Sequence, residues 1–451
     1  MKNRTFFYIF LATYSIVTLR LFHLLYHTSK LVVDEEFHLR QGKHYCNWEF
    51  HIWDPKITTF PGLYLISALF LSPFELCTTY ALRLTSVFAS IANACLIFAI
   101  RKKFTTNRTD PYVLRETISL ALLPPLYFFS HLYYTDVLSV TMVLAMIYFS
   151  IQEKNNWGAL MGSLAVLMRQ TNIVWVGFVL GSQVIDLGLS LTLHTRYRQR
   201  LSGLFSAVIV LLRSPRLVGE VLQRACALFY GYILIILAFI VFLFWNESIV
   251  VGDKTAHTAA VHLPQMFYFC LFYAMFSCSQ VLTASRQVLR FICKRWHLSI
   301  GCAVLFAYII KQNTIVHPYL LADNRHYTFY VWNRFYGRWW FARYLPVPVY
   351  YGVIVLLGFN LFGARQPTVG YSVLWIVATL ASLALQKLIE VRYFILPFLV
   401  LRLLQTNVRS SRKLITIEMA INVVINAATF YVFCTKEFYW SNYQEAQRII
   451  W

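Results

Sequence analysis

Long apolar runs separated by short polar or basic breaks repeat along the whole chain. A membrane-spanning helix takes about 20 apolar residues. On that measure the pattern predicts helices near 6–26, 80–100, 116–134, 136–151, 157–169, 171–187, 225–245, 263–283, 298–316, 346–362, 369–386, 393–406 and 414–434. The run 61–73 opens on Pro61-Gly62 and is too short to span, so it reads as a juxtamembrane or re-entrant piece. Region 188–224 interleaves Arg196, Arg198, Arg200, Arg213, Arg216 and Arg224 with apolar residues, the pattern of an interfacial segment on the cytoplasmic side. The expected fold class is an all-α polytopic membrane protein of about 13 transmembrane helices, forming a single domain over 1–451.

Composition strengthens this picture. Of 451 residues 59% are hydrophobic and 13% charged, against about 25% charged in soluble domains. The net charge of +21 would suit a nucleic-acid partner, but the basic residues stand in short clusters between apolar runs. That arrangement follows the positive-inside rule, so a bilayer is expected and no nucleic acid. With thirteen spans, Lys2/Arg4, Arg101-Lys102-Lys103, Arg196–Arg200, Arg286–Arg295 and Arg409–Lys413 all fall on one side, giving a cytoplasmic N-terminus. The polar loops 27–62, 246–262 and 317–345 then face the opposite compartment together. Nine cysteines include no C-x-x-C pair, and most stand in apolar runs. They read as small buried hydrophobes, with neither a zinc site nor a disulfide framework expected.

Candidate chemistry sits in those loops. Asp34-Glu35-Glu36-Phe37-His38 follows the first apolar run directly, and such an acidic cluster beside a bilayer asks for water or a polar substrate. The acids are hard oxygen ligands, but no second acidic cluster stands nearby and no Asp-x-Asp occurs, so no metal and no other cofactor is expected. P-loop, H-E-x-x-H and G-x-S-x-G signatures are absent too. Loop 317–345 sets Asp323, Asn324, Arg325 and His326 among Tyr and Trp rings. Rings stack on sugars and guanidinium groups bind phosphate; the alternative is an aromatic belt with snorkelling arginines. Lys254 and His257 lie in the solvated loop 252–257. Three further positions stay open between structure and function. Glu390/Arg392 suits a salt bridge or a ligand contact, Arg169-Gln170-Thr171-Asn172 suits helix-end bonding or substrate contact, and Asp136 suits a helix cap or a substrate contact.

Taken together, these motifs resemble one eukaryotic family. The residues that carry the likeness are Asp34-Glu35-x-Phe37-His38, Trp53-Asp54-Pro55-x-Ile57-Thr58-Thr59-x-Pro61-Gly62-Leu63-Tyr64 and Tyr133-Tyr134-Thr135-Asp136. Arg169-Gln170-Thr171-Asn172-Ile173-Val174-Trp175, Leu320–Tyr327, Glu390-x-Arg392-Tyr393 and the terminal Arg448-Ile449-Ile450-Trp451 complete it. The chain is similar to the endoplasmic-reticulum α-1,2-glucosyltransferases that add the third, terminal glucose to the dolichol-linked oligosaccharide. It departs from them at Thr255-Ala256, where Ser-Asn is usual, and at Lys56, where Met is frequent.

The resemblance implies a GT-C glycosyltransferase fold with a luminal site, in a multi-pass protein of the endoplasmic-reticulum membrane. It implies dolichyl phosphate glucose as donor and a diglucosylated oligosaccharide on dolichyl pyrophosphate as acceptor, joined with inversion. It makes Asp34 the expected base for the acceptor 2-hydroxyl, with Glu35 the competitor. Arg325, His326 and Arg392 are the expected holders of the leaving phosphate, followed by Lys254 and His257. Asp323, Asn324, Asp136, Arg169 and Trp53 are the further expected substrate contacts. The alternatives are another polyprenyl-phosphate-sugar transferase of the same fold, or a transporter. A transporter would place ionisable residues at mid-membrane and show internal repeats, and the sequence shows no repeat.

Overall fold

The computed structural model describes residues 2–104, 110–193, 201–254, 260–363, 369–405, 410–441 and 445–451. Apolar side chains are abundant enough for helices to pack on several faces, and the described residues form helices joined by turns, with only two isolated β-bridges. The first half contains α1 (Lys2–Thr28), α2 (Glu35–Cys46), α3 (Gly62–Leu71), α4 (Thr79–Phe104), α5 (Asp110–Ala121) and α6 (Pro124–Phe129). It continues with α7 (Thr135–Ile151), α8 (Asn155–Met168), α9 (Ile173–Thr192), α10 (Leu201–Arg213) and α11 (Pro215–Asn246). The second half contains α12 (Pro264–Phe276), α13 (Cys278–Lys294), α14 (Trp296–Asn313), α15 (Pro318–Ala322) and α16 (Tyr327–Val331). It closes with α17 (Val347–Phe362), α18 (Val369–Leu383), α19 (Ile395–Leu404) and α20 (Arg412–Thr435).

Among the described residues six helical segments are long and apolar enough to cross a membrane: Thr5–Thr28, Thr79–Phe104, Gln170–Thr192, Pro215–Asn246, Ala342–Phe362 and Arg412–Thr435. A seventh arises if α12 and α13, bent by 106° at their junction, make one broken span. This is the architecture of a polytopic membrane protein. Helix occurs at each of the thirteen predicted positions, but several pieces are shorter than expected. Two predicted spans are broken. Pro124-Pro125 ends α5 and starts α6, because proline donates no backbone hydrogen bond and crowds the preceding turn. The predicted helix 263–283 breaks at Ser277, where Arg402 donates to the Ser277 hydroxyl at 2.7 Å and to the Glu418 carboxylate at 2.9 Å. Glu418 also accepts from the Ser279 hydroxyl at 2.5 Å, so a buried ion pair stitches the bend. The segment expected over 188–224 is two pieces, α10 and the start of α11, while Arg196, Arg198 and Arg200 lie outside the described residues.

One large core joins the helices. α7 packs on α8 and α4, and α9 lies between α11 and α18. The loop after α1 is fixed to this bundle at several points. Cys46 and Cys77 form a disulfide, with Cα atoms 6.0 Å apart, against the expectation of free, buried cysteines. That pairing joins positions 31 residues apart, which carry no recognisable spacing signature. Gly62 opens α3 where an added Cβ would come 2.4 Å from the Leu167 carbonyl oxygen, so only glycine lets α3 meet the end of α8. Gly252 has φ +72°, and a Cβ there would lie 2.5 Å from the Pro55 carbonyl oxygen. The neighbouring Asp253 N–H donates to that oxygen at 2.8 Å, which binds the 246–254 loop to the 54–62 strut.

Candidate functional site

The strut places Thr58 and Thr59 over the polar break between α8 and α9. Gln170 donates from Nε2 to the Thr58 carbonyl at 2.6 Å, and Asn172 donates from Nδ2 to the Ser139 hydroxyl and the Ala165 carbonyl, both at 2.7 Å. Those side chains tie the break to the strut, to α7 and to the end of α8, while Arg169 turns toward the start of α7. There it forms a short ion pair with Asp136, in the first turn of α7. Arg392, from the turn Val391–Phe394 before α19, approaches the other oxygen of Asp136 at 3.4 Å and pairs with Glu390 at 2.6 Å. The Asp136 side chain is 3% exposed, while those of Arg169 and Arg392 are 20% and 12% exposed. Thus one buried carboxylate aligns two guanidinium groups whose outer edges remain open. Those edges line a cavity of about 320 Å³, together with Thr58, Thr59, His317, Tyr319 and Tyr393.

Across the Tyr133–Asp136 turn lies the start of α2. Asp34 is its N-cap, exposed, with no side-chain capping bond. Among the described residues no hydrogen bond or ion pair holds its carboxylate. Glu35 is the opposite case: fully buried, it accepts from Arg83 at 2.7 and 2.6 Å and from the Tyr133 backbone N–H at 2.7 Å. Arg83 also donates to the carbonyls of Ser29 and Lys30, both at 3.0 Å, so this pair closes the α1–α2 connection. Tyr134 lies between the two groups. Its hydroxyl accepts from the Glu35 N–H at 3.1 Å and donates to the Val32 carbonyl at 3.0 Å. Arg392 sits over its ring at 5.4 Å. The His38 ring stands edge-on to Tyr134 at 5.4 Å. Burial first, then the Arg392 charge, holds the His38 imidazole down at about 4; Arg169 acts in the same direction and Asp136 opposes.

Other expected site residues fall elsewhere. Arg325 donates to Asp323 at 2.9 and 2.8 Å and to Gln447 at 3.0 Å, while His326 lies 3.7 Å from Asp323. Asn324 accepts from the Trp440 indole at 3.1 Å. The Tyr327 N–H donates to the Ile450 carbonyl at 3.1 Å and the Ile450 N–H to the Arg325 carbonyl at 2.7 Å. This second cluster docks the C-terminal tail and does not line the cavity. Burial pushes the Asp323 carboxyl up, but the hydrogen bonds it accepts from Arg325, and the charge of nearby His326, outweigh that and hold the group below the ordinary carboxylate range. Trp53 is half-buried against Tyr45 and Tyr64, outside the cavity lining. Lys254 donates to the Asn246 carbonyl at 2.5 Å, and His257 lies outside the described residues. Two further neighbours of the site, His38 and Tyr64, stand inside the Asp34–His38 and Trp53–Tyr64 motifs, and the sequence assigns neither a separate role.

Asp136, Arg169 and Arg392 thus meet beside the Tyr133–Asp136 turn, with Tyr134 between Arg392 and the start of α2. The DIE2/ALG10 family profile matches residues 28–403. The chain belongs to the DIE2/ALG10 family. A relative in Drosophila melanogaster is 44% identical over 431 residues, covering 94% of each chain. Relatives in Rattus norvegicus and Homo sapiens are 34% and 32% identical, each over 93% of both chains. All three carry the name Dol-P-Glc:Glc(2)Man(9)GlcNAc(2)-PP-Dol alpha-1,2-glucosyltransferase. No solved structure matches this DIE2/ALG10 chain.

Proposed function

We propose that this protein transfers glucose from dolichyl phosphate glucose to the terminal glucose of the diglucosylated lipid-linked oligosaccharide. The names of relatives similar over nearly the whole chain support this donor and acceptor. The observation that carries the chemistry is the pair Arg169 and Arg392, aligned by buried Asp136 on a cavity, with the exposed Asp34 carboxylate across Tyr134. In the proposed step the acceptor 2-hydroxyl attacks glucose C1 as Asp34 takes its proton. A new C1–O bond forms, the C1–O bond to phosphate breaks, and dolichyl phosphate leaves with that bond's electron pair. Attack from the face opposite the β-linked phosphate yields the α product. Arg169 and Arg392 stabilise the departing phosphate in a site where fixed charges act strongly. Glu35 has a structural part, and Arg325, His326, Asp323 and Asn324 hold the tail beside the site.

The same reading gives the chain a GT-C fold of about 13 spans in the endoplasmic-reticulum membrane, with its N-terminus cytoplasmic and its site luminal. Helix at each predicted position supports a many-helix membrane bundle, in which six or seven segments among the described residues are long enough to cross the bilayer unaided. The Cys46–Cys77 disulfide supports a luminal position for the first loop, since such bonds persist in oxidising compartments. No metal takes part in the step. The test is transfer by the purified protein from synthetic dolichyl phosphate glucose, run beside the mannosyl donor and with EDTA. Glucose transfer that survives EDTA is expected. Equal use of the mannosyl donor defeats the donor assignment, and loss with EDTA defeats the metal-free step.

A further inference from the structure

His38 stands one helical turn beyond Asp34 on α2, so the two side chains share a face. Its Nδ1 lies 2.6 Å from the Tyr64 hydroxyl. Tyr64 is fully buried, and that contact is its hydroxyl's hydrogen bond among the described residues. A buried phenol O–H donates wherever an acceptor is present, because an unsatisfied donor loses its hydration without return. Tyr64 therefore donates to Nδ1, and the imidazole proton resides on Nε2. The half-buried ring has no other hydrogen bond among the described residues, which leaves the Nε2–H as an uncommitted donor one helical turn from Asp34, on the side of Tyr134 and Arg392. Resting on the glucosyl-transfer reading, we infer that His38 is an acceptor-binding residue whose Nε2–H donates to a hydroxyl of the acceptor's terminal sugar while Asp34 faces the reacting hydroxyl. Burial and the Arg392 charge keep the ring neutral at physiological pH, so it presents a single donor and adds no charge next to the arginines. A neutral donor suits a sugar hydroxyl; the phosphate is left to Arg169 and Arg392.

The test compares H38Q, H38N and Y64F as full-length protein in detergent, with synthetic dolichyl phosphate glucose and the diglucosylated acceptor. The Gln amide reaches the place of Nε2 and the Asn amide that of Nδ1. H38N should raise the acceptor KM about tenfold, the size of a lost neutral hydrogen bond, and leave the donor KM unchanged. H38Q should restore most of the acceptor affinity, which a merely structural role would not produce. Y64F frees the tautomer and should raise the acceptor KM by less than H38N does. Equal behaviour of H38N and H38Q, or an effect confined to the donor KM, overturns the assignment. If H38N does not fold, an unchanged acceptor KM in Y64F overturns it. Absence of transfer by the unsubstituted protein overturns the glucosyl-transfer reading and this assignment with it.

Discussion

Adjacent carboxylates at 34 and 35 should fail in different ways when neutralised, because one is exposed and the other is enclosed. Glu35 is 0% exposed and receives two charge-assisted bonds from Arg83, itself 0% exposed, plus the Tyr133 N–H. Glu35→Gln keeps the shape but turns an N–H group toward donors and leaves a guanidinium without its counter-charge. Breaking such a buried pair from one side costs about 3–5 kcal/mol, a large part of the roughly 5–15 kcal/mol that holds a domain together. Asp34→Asn removes an exposed charge with no hydrogen-bonded partner among the described residues, and a change of that kind stays within about 0.5 kcal/mol in stability. Its effect should appear in kcat instead, at about 10²–10⁴-fold for a lost general base. Thermal unfolding in detergent and glucosyl transfer per folded molecule separate the two axes. The expected result is an inactive, stable Asp34→Asn and an unstable Glu35→Gln whose folded fraction still transfers. Full activity in Asp34→Asn refutes the reasoning, as does a Glu35→Gln with ordinary stability and the larger loss of rate.

Arg169→Ala and Arg392→Ala should each lower kcat by about 10²–10³-fold through loss of phosphate stabilisation, while Arg325→Ala acts mainly on stability by releasing the tail; equal kcat losses in kinetic assays of all three count against the division. Reduction of Cys46–Cys77, or serine at both positions, should destabilise the first loop by about 3–4 kcal/mol for a crosslink of this span, read as a lower unfolding temperature with reductant that the double variant no longer shows. His38 is neutral in the fold down to about 4, so its contribution to stability is complete above the unfolded-state value of about 6.5 and is lost as pH falls from there toward 4. Unfolding temperature should drop across that window, and H38Q should drop less; parallel curves would show that the imidazole is not the group involved.

Much of the scaffold is legible because apolar periodicity and length determine where helices lie, as α1, α4 and α20 illustrate. Breaks inside apolar runs are less so. The one at Pro124-Pro125 has a local cause, whereas the bend at Ser277 depends on Arg402 and Glu418, more than a hundred residues away in sequence. The same limit governs the site. Asp136, Arg169 and Arg392 are visible individually as polar residues at helix ends, but each has a bland local explanation. Only their meeting on one carboxylate distinguishes a clamp from three helix caps. Glu35 is indistinguishable from Asp34 in sequence because its partner Arg83 stands in the first turns of an apolar helix.

That concealed pair also explains why the site is built on the Tyr133–Asp136 turn. Glu35 accepts the Tyr133 N–H, Tyr134 separates Asp34 and His38 from Arg392, and Asp136 aligns both arginines. Four consecutive residues therefore relate the α2 start, where the proposed base stands, to the cations that would receive the leaving group. A loop at a membrane surface has few apolar contacts with which to fix a side chain's position. Here the Arg83–Glu35 pair supplies the fixing, at a depth where its charges are fully enclosed. The enclosed acid is thus what fixes the start of α2, where the proposed base stands.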